Sequence, residues 1–136
     1  MAGPMKTHSI DVRIRYPEVD RMGFLHHSRY FQLFEMARTE MLRAAGLAYK
    51  DLEDEGALFV VVKAEARFHK PAEYDDMVQV TAEITRTGAA RVDHAYRVTR
   101  DEGATLLCEG STTLTCVDRS GEIVAISERI ARLFSA

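Results

Sequence analysis

The chain has 136 residues, which predicts one domain, 1–136, with room for a single site but not for separate substrate and cofactor domains. Hydrophobic residues make up 46% and charged residues 29%, as in ordinary globular proteins, and the apolar run at residues 57–62 is too short to cross a membrane. The formal net charge is -3 and the 18 basic residues are scattered, which argues against a nucleic-acid-binding surface.

The N-terminal segment and the cysteines indicate the compartment. MAGPMKTHS contains one lysine and no apolar stretch, so we expect a short disordered lead over residues 1–7 and not a signal peptide. Cys108 and Cys116 lie in one predicted strand, where eight residues at roughly 3.3 Å each separate them by about 26 Å, beyond disulfide reach. Two buried thiols in a cytoplasmic protein are therefore predicted.

The first half of the chain predicts one strand and two helices. Apolar and charged residues alternate over 10–16, which indicates a strand with one buried face (Ile10, Val12, Ile14, Tyr16) that Pro17 ends. A long amphipathic helix follows over residues 27–45, closed by Gly46, with apolar residues at three- and four-residue steps: Tyr30, Phe31, Phe34, Ala37, Met41, Leu42 and Ala45. A short helix is predicted over 48–55.

From Gly56 onward the apolar period is two. Four strands are predicted, over residues 57–68, 77–88, 90–101 and 105–118, followed by a helix over 127–134 that Ser127 caps. Three of the connections are as short as hairpins, so the sheet is mostly antiparallel. A helix of about 18 residues spans about 27 Å and can fill one face of a curved five-stranded sheet. The other face is free for a second subunit, which predicts a homo-oligomer.

A family resemblance rests on two motifs. DRMGFLHHSRY at 20–30 runs into FQLFEMARTEMLRAAG, and the pattern D-x-x-G-x-x-x-[HYF] is followed by F-x-x-A-R-x-E, matched at Phe34, Ala37, Arg38 and Glu40. With HKPAEYDD at 69–76, this resembles the 4-hydroxybenzoyl-CoA thioesterase family, in particular its branch associated with the Tol-Pal system, over about residues 8–126. The resemblance implies an α+β hotdog fold, a five-stranded antiparallel sheet wrapped around one long central helix.

The resemblance also implies an activity, hydrolysis of a small aliphatic or aromatic acyl-CoA. Such a reaction needs a nucleophile or a base, and donors for the negative charge that grows on the carbonyl oxygen. Asp20 is the predicted nucleophile or general base, and the backbone N–H of His27 is the predicted oxyanion donor, at the positive end of the helix. The spacing alone is also compatible with Asp20 as a carboxylate that only closes a turn or caps the helix. Whether the side chain of His27 assists the reaction is left open.

Substrate contacts are predicted in two groups. Near Asp20 they are Gly23, which also permits a tight turn, Phe24, His26 and Tyr30, for which core packing is the alternative. In the strands they are Val61, Val62 and Lys63, reaching the acyl pocket from a neighbouring subunit, and Arg86 and Arg91, which are predicted to bind the CoA phosphates but also fit ordinary surface arginines. Arg29 stands where related thioesterases often carry Asn.

No cofactor is expected, because coenzyme A is part of the substrate. His26 and His27 suggest a metal at first sight, but adjacent side chains are expected to point apart and no HExxH motif is present. Alternatives are a thioesterase that acts on acyl carrier protein and a protein that binds acyl thioesters without turnover. A hydratase is disfavoured, since the D-x-N-P-x-H loop is lacking. The oligomer is predicted to be a dimer or a tetramer.

Overall fold

The computed structural model describes residues 6–134, which form one five-stranded sheet packed on a long helix. The sheet order is β1-β3-β4-β5-β2 and all four pairings are antiparallel. The elements are β1 (Thr7–Arg13), α1 (Arg29–Ala44), α2 (Tyr49–Asp54), β2 (Leu58–Phe68), β3 (Met77–Thr87), β4 (Arg91–Arg100), β5 (Thr105–Val117) and α3 (Glu128–Phe134). The predicted hotdog fold is confirmed. Within the described chain no helix is long and apolar enough to span a membrane.

The first strand differs from its prediction at both ends. β1 begins at Thr7, so this last residue of the predicted lead belongs to the sheet, while residues 1–5 lie outside the described part of the chain. Tyr16 was expected on the buried face of the strand, but it is 76% exposed and begins a short 3-10 helix. Pro17 favours this turn because its ring fixes φ, and Glu18 closes it by accepting a hydrogen bond from the backbone N–H of Arg15 (2.8 Å).

The long helix begins at Arg29, two residues later than predicted, and ends one residue earlier, at Ala44. Its buried side chains are Tyr30, Leu33, Phe34, Ala37, Arg38, Met41 and Leu42. Phe31, predicted to be buried, is 39% exposed, because the stripe is centred on Leu33 and Phe34 and residue 31 falls at its edge. The helix therefore presents one aromatic face to the sheet.

One side chain of that face, Phe34, reaches the middle of β5. The ring of Phe34 stacks on the ring of Tyr96 in β4, with centroids 4.4 Å apart and planes 6° from parallel. Next to it, a Cβ at Gly110 would lie 2.5 Å from both the Phe34 ring and the carbonyl oxygen of Glu65. The glycine is thus what allows the phenylalanine to reach the backbone of the sheet.

Both cysteines are buried in β5 and unpaired, as predicted. Burial raises the pKa of Cys108 to about 12 and also raises the pKa of Cys116. Their thiols consequently stay protonated at neutral pH.

The outer face of the sheet carries charged and small polar side chains. A groove of about 640 Å³ crosses it, with Glu65, Arg67, Glu83, Arg97 and Glu109 among its lining residues. Packing of this face against a second subunit stays a prediction.

Candidate active site

Asp20 sits in a loop that its own carboxylate helps to close. Its Oδ1 accepts hydrogen bonds from the backbone N–H groups of Met22 (2.9 Å) and Phe24 (3.2 Å). Its backbone N–H donates to the carbonyl of Phe24 (2.8 Å), and Gly23 donates to the carbonyl of Asp20 (3.0 Å). Gly23 has a φ of 82°, a left-handed conformation that favours glycine. The tight turn predicted at this glycine is present.

The second carboxylate oxygen of Asp20 is available. Among residues 6–134, Oδ2 accepts no hydrogen bond, and the side chain is exposed at the surface of a cavity. The turn role and a chemical role are therefore compatible, since each uses a different oxygen.

The start of α1 leaves one backbone donor unused. Ser28 donates its N–H to Nδ1 of His26 (3.2 Å) and Arg29 donates to the carbonyl of His26 (2.9 Å). Within the described residues the N–H of His27 makes no hydrogen bond. An unsatisfied N–H at the positive end of a helix is what stabilisation of an oxyanion requires.

The two histidine rings do not diverge. The rings of His26 and His27 stack, with centroids 4.2 Å apart and planes at 30°, so the expectation that they point apart was wrong. The Ser28 hydroxyl holds Nδ1 of His26 at 2.8 Å and turns this ring back over its neighbour. In the described part of the chain, no three His, Cys, Asp or Glu side chains are grouped so that they could hold a metal ion.

A cavity of about 350 Å³ opens beside Asp20, and we call it the aromatic cavity. It brings together four of the predicted site residues: Asp20, Phe24, His27 and Tyr30. The other lining residues are Leu25, Phe68, His69, Lys70 and Pro71. Tyr30 is 3% exposed and packs edge-on against Phe68, with centroids 5.2 Å apart. Tyr30 packs in the core and also forms part of the cavity wall, so its contact with substrate stays a prediction.

A second groove, of about 670 Å³, also borders Asp20, and we call it the outer groove. Its lining residues are Tyr16, Val19, Asp20, Arg21, Gly23 and Tyr74. Asp20 is the one lining residue that the two spaces share. His26 lines neither of them.

The connection between β2 and β3 forms the far wall of the aromatic cavity. Backbone bonds join it to the Asp20 loop: Leu25 donates to the carbonyl of Ala72 (2.8 Å) and Tyr74 donates to the carbonyl of Gly23 (3.0 Å). His69, in the wall, lies 3.1 Å from Glu109 through its Nε2. Sequence reasoning matched HKPAEYDD to a family pattern but gave no role to its residues, although that match was the signal that could have pointed to them.

The predicted strand contacts lie elsewhere in the protomer. Val61, Val62 and Lys63 are exposed on β2, and Val61 is seven residues from Phe68, about 23 Å along an extended strand. A neighbouring subunit would have to bring them to the cavity, as the prediction states.

The predicted phosphate-binding arginines line neither the aromatic cavity nor the outer groove. Arg91 forms two hydrogen bonds with the Asp93 carboxylate (3.0 and 2.8 Å), so its charge is already paired. Arg86 lies near the end of β3, at the same hairpin. Arg29, the departure from the family pattern, donates to Gln32 (3.0 Å) and not to a site residue.

Comparison with known proteins identifies the family of the chain. Residues 22–107 match the family model of the thioesterase superfamily. The chain is 36% identical over 107 residues to the acyl-CoA thioester hydrolase YbgC of Escherichia coli O6:H1, covering 79% of each chain. Among solved structures it resembles protein TT1821 of Thermus thermophilus (34% identity, TM-score 0.87, 93% and 96% of the two chains). It also resembles the DHNA-CoA thioesterase of Staphylococcus aureus (26%, TM-score 0.84, 89% and 81%).

Proposed function

Since the chain belongs to the thioesterase superfamily and is a thioester hydrolase, we propose that it hydrolyses acyl-CoA with a small aliphatic or aromatic acyl group, using Asp20. One observation carries the proposal: the free Oδ2 of Asp20 and the unused N–H of His27 belong to residues that line one aromatic cavity. The names of the relatives, an acyl-CoA thioester hydrolase and a DHNA-CoA thioesterase, support the choice of thioester.

The proposed chemistry divides the work between these two groups. Oδ2 of Asp20 either attacks the thioester carbonyl or takes a proton from the water that attacks it. The carbonyl oxygen becomes negative and accepts a hydrogen bond from the backbone N–H of His27. The dipole of α1 stabilises the same negative charge. The C–S bond then breaks and the thiolate of CoA leaves. On the general-base route this step yields the free carboxylic acid. On the nucleophilic route it leaves an acyl-aspartyl anhydride, which water hydrolyses to release the acid and regenerate Asp20. Neither route needs a metal or a redox cofactor.

The acyl group is proposed to occupy the aromatic cavity. Phe24, Leu25, Tyr30 and Phe68 give it apolar walls, as an aliphatic or aromatic acyl group requires. Burial raises the pKa of Tyr30, so its phenol stays neutral and faces the acyl group as a polar but uncharged contact.

The remaining assignments are proposals of the same kind. A homo-oligomer brings Val61, Val62 and Lys63 to the neighbouring subunit's cavity, and Arg86 and Arg91 to CoA phosphates. The reaction is placed in the cytoplasm, with acyl carrier protein as the alternative thiol carrier.

The proposal is tested by thiol release from acyl-CoAs ranging from acetyl to palmitoyl, with benzoyl, phenylacetyl and 4-hydroxybenzoyl included. We expect wild type to hydrolyse short or aromatic members and Asp20→Asn to lose at least about 10²-fold in kcat with little change in KM. The matched control is Asp11→Asn, an exposed aspartate of β1 that lines neither space. Equal rates for wild type and Asp20→Asn would rule out the catalytic assignment, and binding without turnover would favour a non-catalytic acyl-thioester protein.

A further inference from the structure

We propose that the outer groove binds the pantetheine arm of the thiol carrier and that Arg21 pairs with the phosphate at the end of that arm. The inference rests on the proposed function and extends it from the acyl group to the leaving group. It gives a role in substrate binding to Tyr16, Arg21 and Tyr74, which are not among the substrate contacts predicted from the sequence.

The position of Asp20 indicates which space holds the acyl group and which holds the pantetheine arm. In a thioester, the acyl chain and the sulfur leave the carbonyl carbon on opposite sides. Asp20 lines both the aromatic cavity and the outer groove, so a carbonyl held at its carboxylate lies next to both spaces. The acyl group fills the smaller space, about 350 Å³, and the longer arm follows the larger one, about 670 Å³.

The walls of the outer groove fit the chemistry of that arm. Tyr16 is 76% and Tyr74 is 54% exposed, and their rings meet edge to face with centroids 5.7 Å apart. Large aromatic side chains left in solvent as a pair indicate a binding surface. The pantetheine arm alternates aliphatic carbons with two amides, and tyrosine offers both an apolar ring and a hydroxyl. The bond from Tyr74 to the carbonyl of Gly23 fixes the pair beside the Asp20 loop.

The charge of the outer groove is also suited to this ligand. Of its lining residues Arg21 alone is a cation, and within residues 6–134 its guanidinium forms no hydrogen bond or ion pair. Two nearby arginines are already engaged: Arg13 contacts Asp75 and Arg15 contacts Glu18. An unpaired guanidinium next to an aromatic surface is a ready partner for a phosphate, which it can hold with two parallel hydrogen bonds.

The experiment presents one acyl group on three carriers of decreasing length: CoA, pantetheine without phosphate, and N-acetylcysteamine. We expect Arg21→Gln to lower kcat/KM for acyl-CoA at least about tenfold and to leave the two carriers without phosphate unchanged. Tyr74→Ala is expected to lower kcat/KM for CoA and pantetheine thioesters but not for the N-acetylcysteamine thioester. Lys50→Gln, an exposed lysine of α2 outside both spaces, is the control.

The outcomes separate this inference from the proposed function. Titration calorimetry with CoA gives a readout without turnover: if wild type hydrolyses no thioester but Arg21→Gln binds CoA at least about tenfold more weakly, the groove assignment stands and the hydrolase assignment fails. Equal losses on all three carriers, or unchanged CoA binding by Arg21→Gln, would overturn the inference. A fall in particle mass for Tyr74→Ala would overturn it too, because a second copy of the chain would then occupy the groove.

Discussion

At the level of single residues, Asp20 explains why spacing alone left two interpretations open. Oδ1 closes the turn with the N–H groups of Met22 and Phe24, and Oδ2 accepts no hydrogen bond from residues 6–134. An asparagine keeps the carbonyl oxygen that closes the turn but loses the basic and nucleophilic carboxylate. Asp20→Asn is therefore expected to retain the conformation of the loop. A lower kcat in this variant would then result from the missing carboxylate and not from a misfolded loop.

His94 is a buried titratable residue whose environment is unfavourable for charge. It is 1% exposed in β4, and among the buried side-chain nitrogen and oxygen atoms of residues 6–134 its Nδ1 alone lacks a hydrogen-bond partner. Burial lowers its pKa to about 4, the Arg38 guanidinium acts in the same direction, and Asp93 opposes them. The imidazole is consequently neutral in the folded protein at pH 7.

His94 should make the fold sensitive to acid. Below the ordinary pKa of 6.5 the unfolded chain takes up a proton that the folded chain refuses until about pH 4. Stability is therefore complete above pH 6.5 and falls as the pH drops from 6.5 towards 4, by about 3 kcal/mol over the whole interval. Urea unfolding at pH 7.5 and pH 5 should show about 2 kcal/mol of this loss in wild type and a smaller loss in His94→Phe. His8→Gln, at a half-buried histidine of β1, should behave like wild type; parallel losses in wild type and His94→Phe would contradict the assignment.

At the level of elements, the contact of α1 with β5 depends on one missing side chain. A methyl group at Gly110 would collide with the Phe34 ring and the Glu65 carbonyl, each at 2.5 Å. We expect Gly110→Ala to reduce the free energy of unfolding by about 1–3 kcal/mol, the usual cost of overpacking. Thermal or urea unfolding measures this.

Gly88→Ala is the matched control, since an added Cβ would meet only the Arg91 side chain at an ordinary 3.7 Å. It should be neutral or slightly stabilising, by about 0.5 kcal/mol. Equal effects of the two substitutions would mean that α1 can move off the sheet without loss.

The loop that forms the far wall of the aromatic cavity is held by one arginine. Nη1 of Arg100 donates to the Pro71 carbonyl and to Asp76 Oδ2, both at 3.0 Å, and both charged side chains are three-quarters buried. We expect Arg100→Gln to lower kcat/KM about tenfold and to lower the melting temperature, because Pro71 and its neighbours lose their anchor.

The control for this clamp is Arg132→Gln, which removes an exposed ion pair on α3 with Glu128 and should change neither quantity. Unchanged kinetics in Arg100→Gln would show that the wall does not depend on the clamp.

The elements were predictable because their signals are local. Period-two and three-to-four-residue patterns gave the sheet and α1, since burial of one face is recorded in neighbouring residues. One error lies at the end of the first predicted strand, where Pro17 turns the backbone and leaves Tyr16 exposed. The other lies at the edge of the buried stripe of α1, where Phe31 is partly exposed. Phe68 and His69 reach the Asp20 loop only through the folded sheet, more than forty positions along the chain, so periodicity could not assign them to the cavity. Only the HKPAEYDD match pointed to His69, and it carried no role for this residue.

At the level of the whole molecule, β2 is the exposed edge of the sheet. It pairs only with β5 among the described strands, and Val60, Val61 and Val62 are 39%, 48% and 60% exposed. An apolar unpaired edge favours pairing with a second chain. We expect Val62→Lys to lower the mass in solution, measured by light scattering, towards the 15.3 kDa of one chain, and to lower activity with it.

Ile123→Lys is the control for the edge, since this side chain is 70% exposed but lies outside the strands. It should leave the mass unchanged. A single-chain mass for wild type would contradict the proposed oligomer.

The two buried cysteines of β5 have a practical consequence for the assay itself. Release of CoA is followed most directly with a dye that reacts with thiolates, and any reactive cysteine of the enzyme adds a background. Because burial keeps Cys108 and Cys116 protonated and out of solvent, the native enzyme should consume almost no dye until it unfolds. While the protein is folded, the absorbance of the dye would measure only the CoA that is released. On unfolding, the two exposed cysteines would consume two equivalents of dye per chain.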